Sequence, residues 1–492
     1  MLPTAPRLFF AALCLCAVLL PNSQAAPPNP GLTPQQIAAI DHFISAEMAR
    51  EHIPGLAVGI YSRGQILLAK GYGLSNIELN VPVKPETIFQ SGSVGKQFTS
   101  AAIMLLVEEN KISLEDSLAK FFPGAPASWQ AIKIKNLLSH TSGLAEYETD
   151  ELTGPAGPFY LRLDFTEDQL AEKIAALPIE FPPGEKWDYR NTNYVLLGII
   201  VHKITGKFYA DFLQERIFQP LGMTATRLIS EADIIPNRAA GYELHGDQLK
   251  NQSWVSPTFN STADGALYFN VLDLAKWDAA LYTTKLLKQS SLDQMWTVFP
   301  LNNGQPNPGN YGFAWAISRI NGHKLIEHDG SWQGFRTQIS RYVDDSLTVT
   351  VLANIDAARP DHIAQVVAGL ADPALDPPKL TPIADNQPEL LARLRALLEL
   401  LASGADVRAQ LTPELAKQLA ESSPEAAANF ASQLKQVWPA NSITLVARKL
   451  EDGLTISAYR LTKNNETRIV RFALAPDGKI AHLSLHPDPD LR

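Results

Sequence analysis

Strand-like patterns stand at both ends of a long stretch of this chain, and helical patterns fill the middle. Residues Gly55 to Gly73 alternate apolar and polar positions around Arg63-Gly64 (Leu56-Ala57-Val58-Gly59-Ile60, then Ile66-Leu67-Leu68-Ala69), which predicts a β-hairpin. From Val94 to Glu109 the period becomes helical, with Phe98, Ala102, Leu105 and Leu106 on one face. Further helical patterns follow at Thr166–Leu177, Tyr194–Ile204 and Asp273–Tyr282. Strand patterns return at Gly312–Ile320, Lys324–Glu327, Arg336–Tyr342 and Ser346–Asn354. This order predicts an α/β (α+β) fold: one antiparallel sheet closed by both ends of the domain and flanked by helices, with a helical subdomain.

At 492 residues the chain exceeds what one hydrophobic core ordinarily supports. Pro373, Pro377, Pro378, Pro382 and Pro388 mark a linker over residues 372–388, between a domain at 26–371 and a small C-terminal α+β domain at 389–492. In the latter, Leu390, Leu391, Leu394, Leu397, Leu398 and Leu401 predict an amphipathic helix. Thr412-Pro413-Glu414 and Ser423-Pro424-Glu425 read as helix starts. Strands are expected at Ile443–Leu450, Leu454–Leu461, Arg468–Leu474 and Ile480–Leu485, with turns at Asp452-Gly453 and Asp477-Gly478. Helices followed by a meander are similar in pattern to the cone of nuclear-transport-factor-like or cystatin-like domains.

The first 25 residues read as a signal peptide, with Arg7, an apolar run from Leu8 to Leu20, and Ser23-Gln24-Ala25 as a small-x-small cleavage site. Export to a periplasmic or extracellular location is therefore expected. The run is too short to span a bilayer, and no later segment reaches the roughly 18 apolar residues a transmembrane helix needs. Cys14 and Cys16 both lie in the leader, so the mature chain would hold no thiol, which excludes disulfides, thiolate metal sites and cysteine nucleophiles. Leu13 and Leu15 stand where a lipidation site needs a small residue. The net charge of −9, which loss of Arg7 makes −10, and the absence of any basic run exclude nucleic acid as an expected partner.

Ser93-Val94-Gly95-Lys96 stands where the helical pattern begins, and residues three apart share a helix face. A lysine kept neutral there accepts the serine proton, and the helix N-terminus favours an oxyanion. Ser117-Leu118-Ala119-Lys120 and Ser432-Gln433-Leu434-Lys435 match the same string, but only Ser93 is entered through a run of small residues, Ser91-Gly92-Ser93. Taken alone, Ser93 fits a helix cap as well as a nucleophile. Tyr189 and Asn191 lie in a turn that leads into a helix, where a phenol relays protons and an amide orients a carbonyl, or where both simply pack. Tyr268-Phe269-Asn270 shows that the pattern recurs. His328-Asp329-Gly330-Ser331 predicts a glycine-rich bend after a strand, with His328 free to bind a carboxylate or to be structural.

In their order, Ser93-x-x-Lys96, Tyr189-x-Asn191 and His328-x-Gly330 resemble the signature of the serine β-lactamase and penicillin-binding-protein-like hydrolases, in the class C β-lactamase, D,D-peptidase and esterase branch. Ile53-Pro54-Gly55, Leu137 to Leu144, Pro220-Leu221-Gly222-Met223, Asp273-Leu274-Ala275 and Tyr311-Gly312-Phe313-Ala314-Trp315 are similar to landmarks of that family, and the resemblance spans about residues 35–370. It implies Ser93 as nucleophile and Lys96 and Tyr189 as proton handlers. The backbone N–H groups of Ser93 and Ser331 would hold the oxyanion, with Asn191, His328 and Gly330 about the substrate.

The resemblance implies no metal or cofactor, and no His-x-His-x-Asp-His cluster suggests one. Lys-Thr-Gly is usual where His328-Asp329-Gly330 stands, so a group titrating near neutrality replaces a permanent cation. Ester or D-amino-acid-type peptide hydrolysis is therefore expected ahead of efficient β-lactam hydrolysis, on a small-molecule ester, peptide or β-lactam-like substrate. No acid of the class A deacylation type is evident. His140, Ser142 and Asp264-Gly265 are expected to shape loops. A catalytically weak module that senses or binds wall peptides is the alternative, against which Ser93, Lys96 and Tyr189 are all intact. The oligomeric state is not set by these residues.

Overall fold

The computed structural model describes residues 31–488 apart from 247, 422–423, 452 and 465. The expected leader over residues 1–25, the helix cap at Ser423 and the turn residue Asp452 lie outside the described residues.

Seven strands form one antiparallel sheet: β1 Gly55–Ser62, β2 Gln65–Asn76, β3 Val81–Pro82, β4 Ala316–Ile320, β5 His323–Trp332, β6 Phe335–Tyr342 and β7 Leu347–Ala353. Their order across the sheet is β3-β2-β1-β7-β6-β5-β4. The first strand therefore lies beside the last, with Val58 opposite Val351, and the expected fold class is borne out. Helices α1 Pro34–Arg50, α2 Lys96–Glu108, α3 Asn191–Thr205, α4 Val271–Leu281 and α5 Pro360–Ala371 flank the sheet.

Every residue of β1 and β7 is buried, because helices cover both faces. Strand side chains alternate between faces. Leu56, Val58 and Ile60 pack with Ile40, Phe43 and Ile44 of α1 and Ile363 and Val367 of α5. Ala57 and Tyr61 point into the larger core that holds α2, α3 and α4. Neither α1 nor α5 was expected from the apolar patterns, although Thr33-Pro34 is a helix start. The Thr33 hydroxyl accepts from the Gln36 N–H, and Gln36 returns the bond to the Thr33 backbone.

Helix α2 is buried all round from Lys96 to Leu106, polar Gln97, Thr99 and Ser100 included, which suits a helix at the centre of the domain. Phe98 meets Phe218 and Trp277 at ring-centroid distances of 5.4 and 4.5 Å. Truncating such a side chain to alanine costs about 3–5 kcal/mol.

Two strand boundaries differ from expectation. Strand β4 begins only at Ala316, after a loop in which Ala314 has φ +66°. Strand β5 runs on through His328, Asp329, Gly330 and Ser331 to Trp332, paired throughout with β6, so these residues form a strand and not a bend. The turn comes later, at Gln333-Gly334. A glycine inside a strand here marks a close backbone approach.

Beyond residue 387, helices α6 Pro388–Ala402, α7 Pro413–Glu421 and α8 Pro424–Val437 precede strands β8 Ser442–Glu451, β9 Leu454–Lys463, β10 Glu466–Leu474 and β11 Ile480–Pro487. The strands form an antiparallel meander around Leu394, Leu398, Tyr459, Leu461 and Phe472. Among the described residues no helix is long and apolar enough to cross a membrane.

Candidate active site

Ser93 occupies a single tight turn, Gly92–Gly95, between the short strand Phe89–Gln90 and α2. Gly92 has φ +49°, and a Cβ there would lie 2.3 Å from the backbone nitrogen of Ser331. Only glycine fits that conformation without strain. The Thr337 hydroxyl donates to the Ser91 carbonyl at 2.6 Å, tying β6 to the same turn. Strand β5 thus presses its Gly330-Ser331 backbone against the Ser93 turn with no side chain between.

Lys96 is the first residue of α2 and is fully buried. Its Nζ lies 2.9 Å from Ser93 Oγ and donates to Asn191 Oδ1 at 2.7 Å and to the carbonyl of Asp264. Burial pushes its pKa down, against the opposing pull of Asp264, Glu148, Glu146 and Asp329. A cation at a helix N-terminus is disfavoured by the dipole as well. A neutral amine has two hydrogens and one lone pair. Two carbonyl oxygens take the hydrogens, and the lone pair remains for the Ser93 hydroxyl. After proton transfer, the third N–H points at the same oxygen.

Asn191, the first residue of α3, has both ends of its amide engaged. Its oxygen accepts from Lys96, and its Nδ2 donates to Glu148 Oε2 at 2.7 Å. Only one of the two Nδ2 hydrogens is committed to Glu148, so the amide keeps a second donor of the kind expected to meet a substrate carbonyl. Its backbone N–H donates to Glu146 Oε2 at 2.5 Å.

Glu146 and Glu148 were not among the expected site residues. Burial pushes Glu146 up and Glu148 up to about 8. Between them, the Tyr147 hydroxyl donates to Asp264 Oδ2 at 2.9 Å. The only signal in the sequence was a Glu-Tyr-Glu string directly after Ser142-Gly143-Leu144-Ala145.

Tyr189 precedes α3, its ring centroid 5.0 Å from Lys96 Nζ and 4.2 Å from that of His140. Its hydroxyl is buried without a hydrogen bond of ordinary geometry, although Ser93 stands close enough to oppose the upward shift that burial imposes on the phenol. The group is a neutral donor. His140 supports the ring and accepts the Arg190 N–H on Nδ1 at 3.1 Å, in keeping with a loop-shaping role.

His328 is buried on β5. Its Nδ1 lies 2.6 Å from the Asp329 carbonyl, which only accepts, so that nitrogen carries the proton. Nε2 then accepts from the Tyr311 hydroxyl at 2.7 Å. Burial pushes the pKa of His328 down. With both nitrogens engaged and burial opposing its charge, the ring stands neutral in this arrangement, at the place expected for a substrate-binding group.

Tyr189, His328 and Asp329 line a cavity of about 1840 Å³ whose lining also includes Gln436, Arg468 and His486. Contacts bring the expected residues together from the Ser93 turn, the starts of α2 and α3, and β5: Lys96 reaches Ser93 and Asn191, Tyr189 lies against Lys96 and His328, and Gly330-Ser331 press on the turn.

A serine and a lysine three residues apart at the start of a buried helix, faced by a tyrosine and by a strand of the sheet, define a class of acyl-transfer hydrolases. Residues 40–371 match the family model Beta-lactamase, and the chain belongs to the β-lactamase family of serine hydrolases. It is 31% identical over 309 residues to penicillin-binding protein 4* of Bacillus subtilis (strain 168), covering 59% of this chain and 66% of that protein, just under two thirds of its length. It is 26% identical over 463 residues to a D-aminopeptidase of Gluconobacter oxydans (strain 621H), covering 91% of this chain and 82% of that protein. The solved structure of the octameric penicillin-binding protein homologue from Pyrococcus abyssi shares the fold, with a TM-score of 0.60 at 23% identity over 91% of this chain and 99% of that one.

Proposed function

We infer that the protein is an exported serine hydrolase that cleaves an amide or ester through an acyl-enzyme on Ser93. The observation that carries this reading is the buried Lys96 amine, held by two carbonyl oxygens with its remaining contact on Ser93 Oγ at 2.9 Å. Ser93 Oγ attacks the carbonyl carbon as its proton passes to Lys96. The backbone N–H groups of Ser93 and Ser331 stabilise the oxyanion. Tyr189 gives its phenolic proton to the leaving nitrogen or oxygen and recovers one from the Lys96 ammonium. Water then attacks the acyl carbon, its proton passes to the same pair, and Ser93 Oγ leaves and is reprotonated.

The substrate in this reading is an ester or a D-amino-acid-type amide or peptide, and a β-lactam is a poor one. The neutral His328 supports this, because no permanent cation stands at the third motif to hold a β-lactam carboxylate. The relative named as a D-aminopeptidase also matches along nearly the whole chain. Residues 26–371 would form the hydrolase domain and 389–492 a domain that limits substrate size, for which its share of the cavity lining speaks.

The test is to treat the purified protein with a fluorophosphonate and with a fluorescent penicillin and to locate adducts by mass spectrometry. Labelling on Ser93 that disappears in Ser93→Ala is expected, and labelling that persists there would overturn the assignment. Turnover of p-nitrophenyl esters, D-amino-acid amides, D-Ala-D-Ala peptides and a chromogenic cephalosporin then ranks the substrates, with the cephalosporin slowest.

A further inference from the structure

Asn191 presents an oxygen to Lys96 because of what stands behind it. An asparagine amide fits the same space either way round. Turned over, its N–H would face the amine and take the lone pair that Ser93 needs. Glu148 accepts from Nδ2 at 2.7 Å and, on the same loop, Glu146 accepts the Asn191 backbone N–H at 2.5 Å. The loop is closed from the other side by the hydrogen bond from Tyr147 to Asp264, whose own carbonyl accepts from Lys96. Glu146 and Glu148 therefore stand behind the lysine, one residue removed from it through Asn191 and two from the serine.

We propose that Glu148 is a positioning residue that fixes the Asn191 amide with its oxygen towards Lys96, and so keeps the lysine lone pair for Ser93. This rests on the reading of Ser93 as nucleophile and Lys96 as base. Glu148 touches neither reacting group and acts through Asn191. A carboxyl is suited to the task because the oxygen that meets Nδ2 stays an acceptor whether or not the group is ionised. The charged groups facing it are Asp264, Glu146 and Lys96. Once it ionises, at about 8, its negative charge also favours the protonated lysine, so its removal has two separable effects: the amide loses its preferred orientation, and the lysine becomes easier to deprotonate.

The experiment compares the full chain with Glu148→Leu, Glu148→Gln, Asn191→Ala, the double variant Asn191→Ala/Glu148→Leu, and Ser93→Ala. The readouts are the rate of Ser93 labelling by a fluorophosphonate across pH, and thermal unfolding. Glu148→Leu is expected to lower the plateau rate about 10²-fold, the scale of a small misplacement at a reacting centre. Glu148→Gln, which retains an acceptor, falls between it and the parent. In the Asn191→Ala background, Glu148→Leu costs less than about two-fold, since the residue it acts through is gone. In both Glu148 single variants the rising limb of the pH profile moves to lower pH, a shift that mere loosening of the fold does not produce.

A Glu148→Leu enzyme that labels at the parent rate, an equal loss in the Asn191→Ala background, or an unmoved pH limb would each overturn the proposal. If Glu148→Leu folds poorly, the isosteric Glu148→Gln still reports the limb. Labelling that persists in Ser93→Ala overturns the nucleophile reading and this inference together. Labelling lost in Ser93→Ala but unchanged in both Glu148 variants overturns this inference alone.

Discussion

A Cβ on Gly330 would lie 2.9 Å from the backbone nitrogen of Ser93 and 2.3 Å from the carbonyl oxygen of Ser91. Neither atom belongs to a flexible side chain, so an added methyl must push β5 away from the Ser93 turn. Gly330→Ala is expected to cost about 1–3 kcal/mol in stability. Its rate of fluorophosphonate labelling falls on the order of 10²-fold. Equilibrium unfolding and labelling rates check the two together, and a fully active Gly330→Ala would show that the strand edge does not shape the oxyanion site.

Lys96 must be neutral to accept the Ser93 proton, and burial lowers its pKa below the ordinary 10.5. Hydrolysis of a p-nitrophenyl ester is therefore expected to rise with pH along a limb centred below 10.5. A limb at or above that value would contradict a lysine base. Lys96→Ala removes the limb and lowers the rate by about 10²–10⁴-fold.

Glu327 accepts from Gln338 and Ser340 at 2.8 and 2.9 Å on β5 and β6. Burial is the main cause that raises its pKa from the ordinary 4.5 to about 7. Between those values the folded protein keeps a proton that the unfolded chain has released, so the unfolded state binds fewer protons and stability falls as pH rises. Glu148 acts in the same sense up to about 8. Urea midpoints measured from pH 4.5 to 8 are expected to decline, and less steeply in Glu327→Gln.

Tyr311→Phe removes the hydroxyl that donates to His328 Nε2 and leaves a buried acceptor unpaired. The expected loss is about 1–3 kcal/mol, read by denaturant unfolding. Labelling of Ser93 should persist, because neither residue handles the serine proton. Loss of labelling in a folded Tyr311→Phe would place His328 closer to the chemistry than its two hydrogen bonds indicate.

The sheet and its central helix were legible because apolar period changes from two to helical and back along the chain, and period is what burial on one face imposes. Helices α1 and α5 escaped notice because their apolar residues are mixed with alanine and polar groups. Only the capping residues Thr33 and Gln36 announce the first of them. Ser93, Lys96 and Tyr189 were legible as an ordered set of motifs, while Glu146 and Glu148 were not. Their position is fixed by a loop crossing to α3, a contact 43 residues apart in sequence for Glu148 and Asn191 that no local pattern encodes. The neutral state of His328 was likewise hidden, since it depends on burial and on Tyr311 arriving from another loop.

The pairing of Leu56 with Ala353 places the two ends of the sheet-forming segment side by side. On the ribosome, β1 emerges early but cannot acquire this neighbour until the last strand of the segment has been made. Until then its open edge is available to other chains. Non-local pairing of this kind slows folding and lengthens the interval in which aggregation competes. A chain cut short before Leu347 would lack β7 altogether, leaving both β1 and β6 without the strand that lies between them.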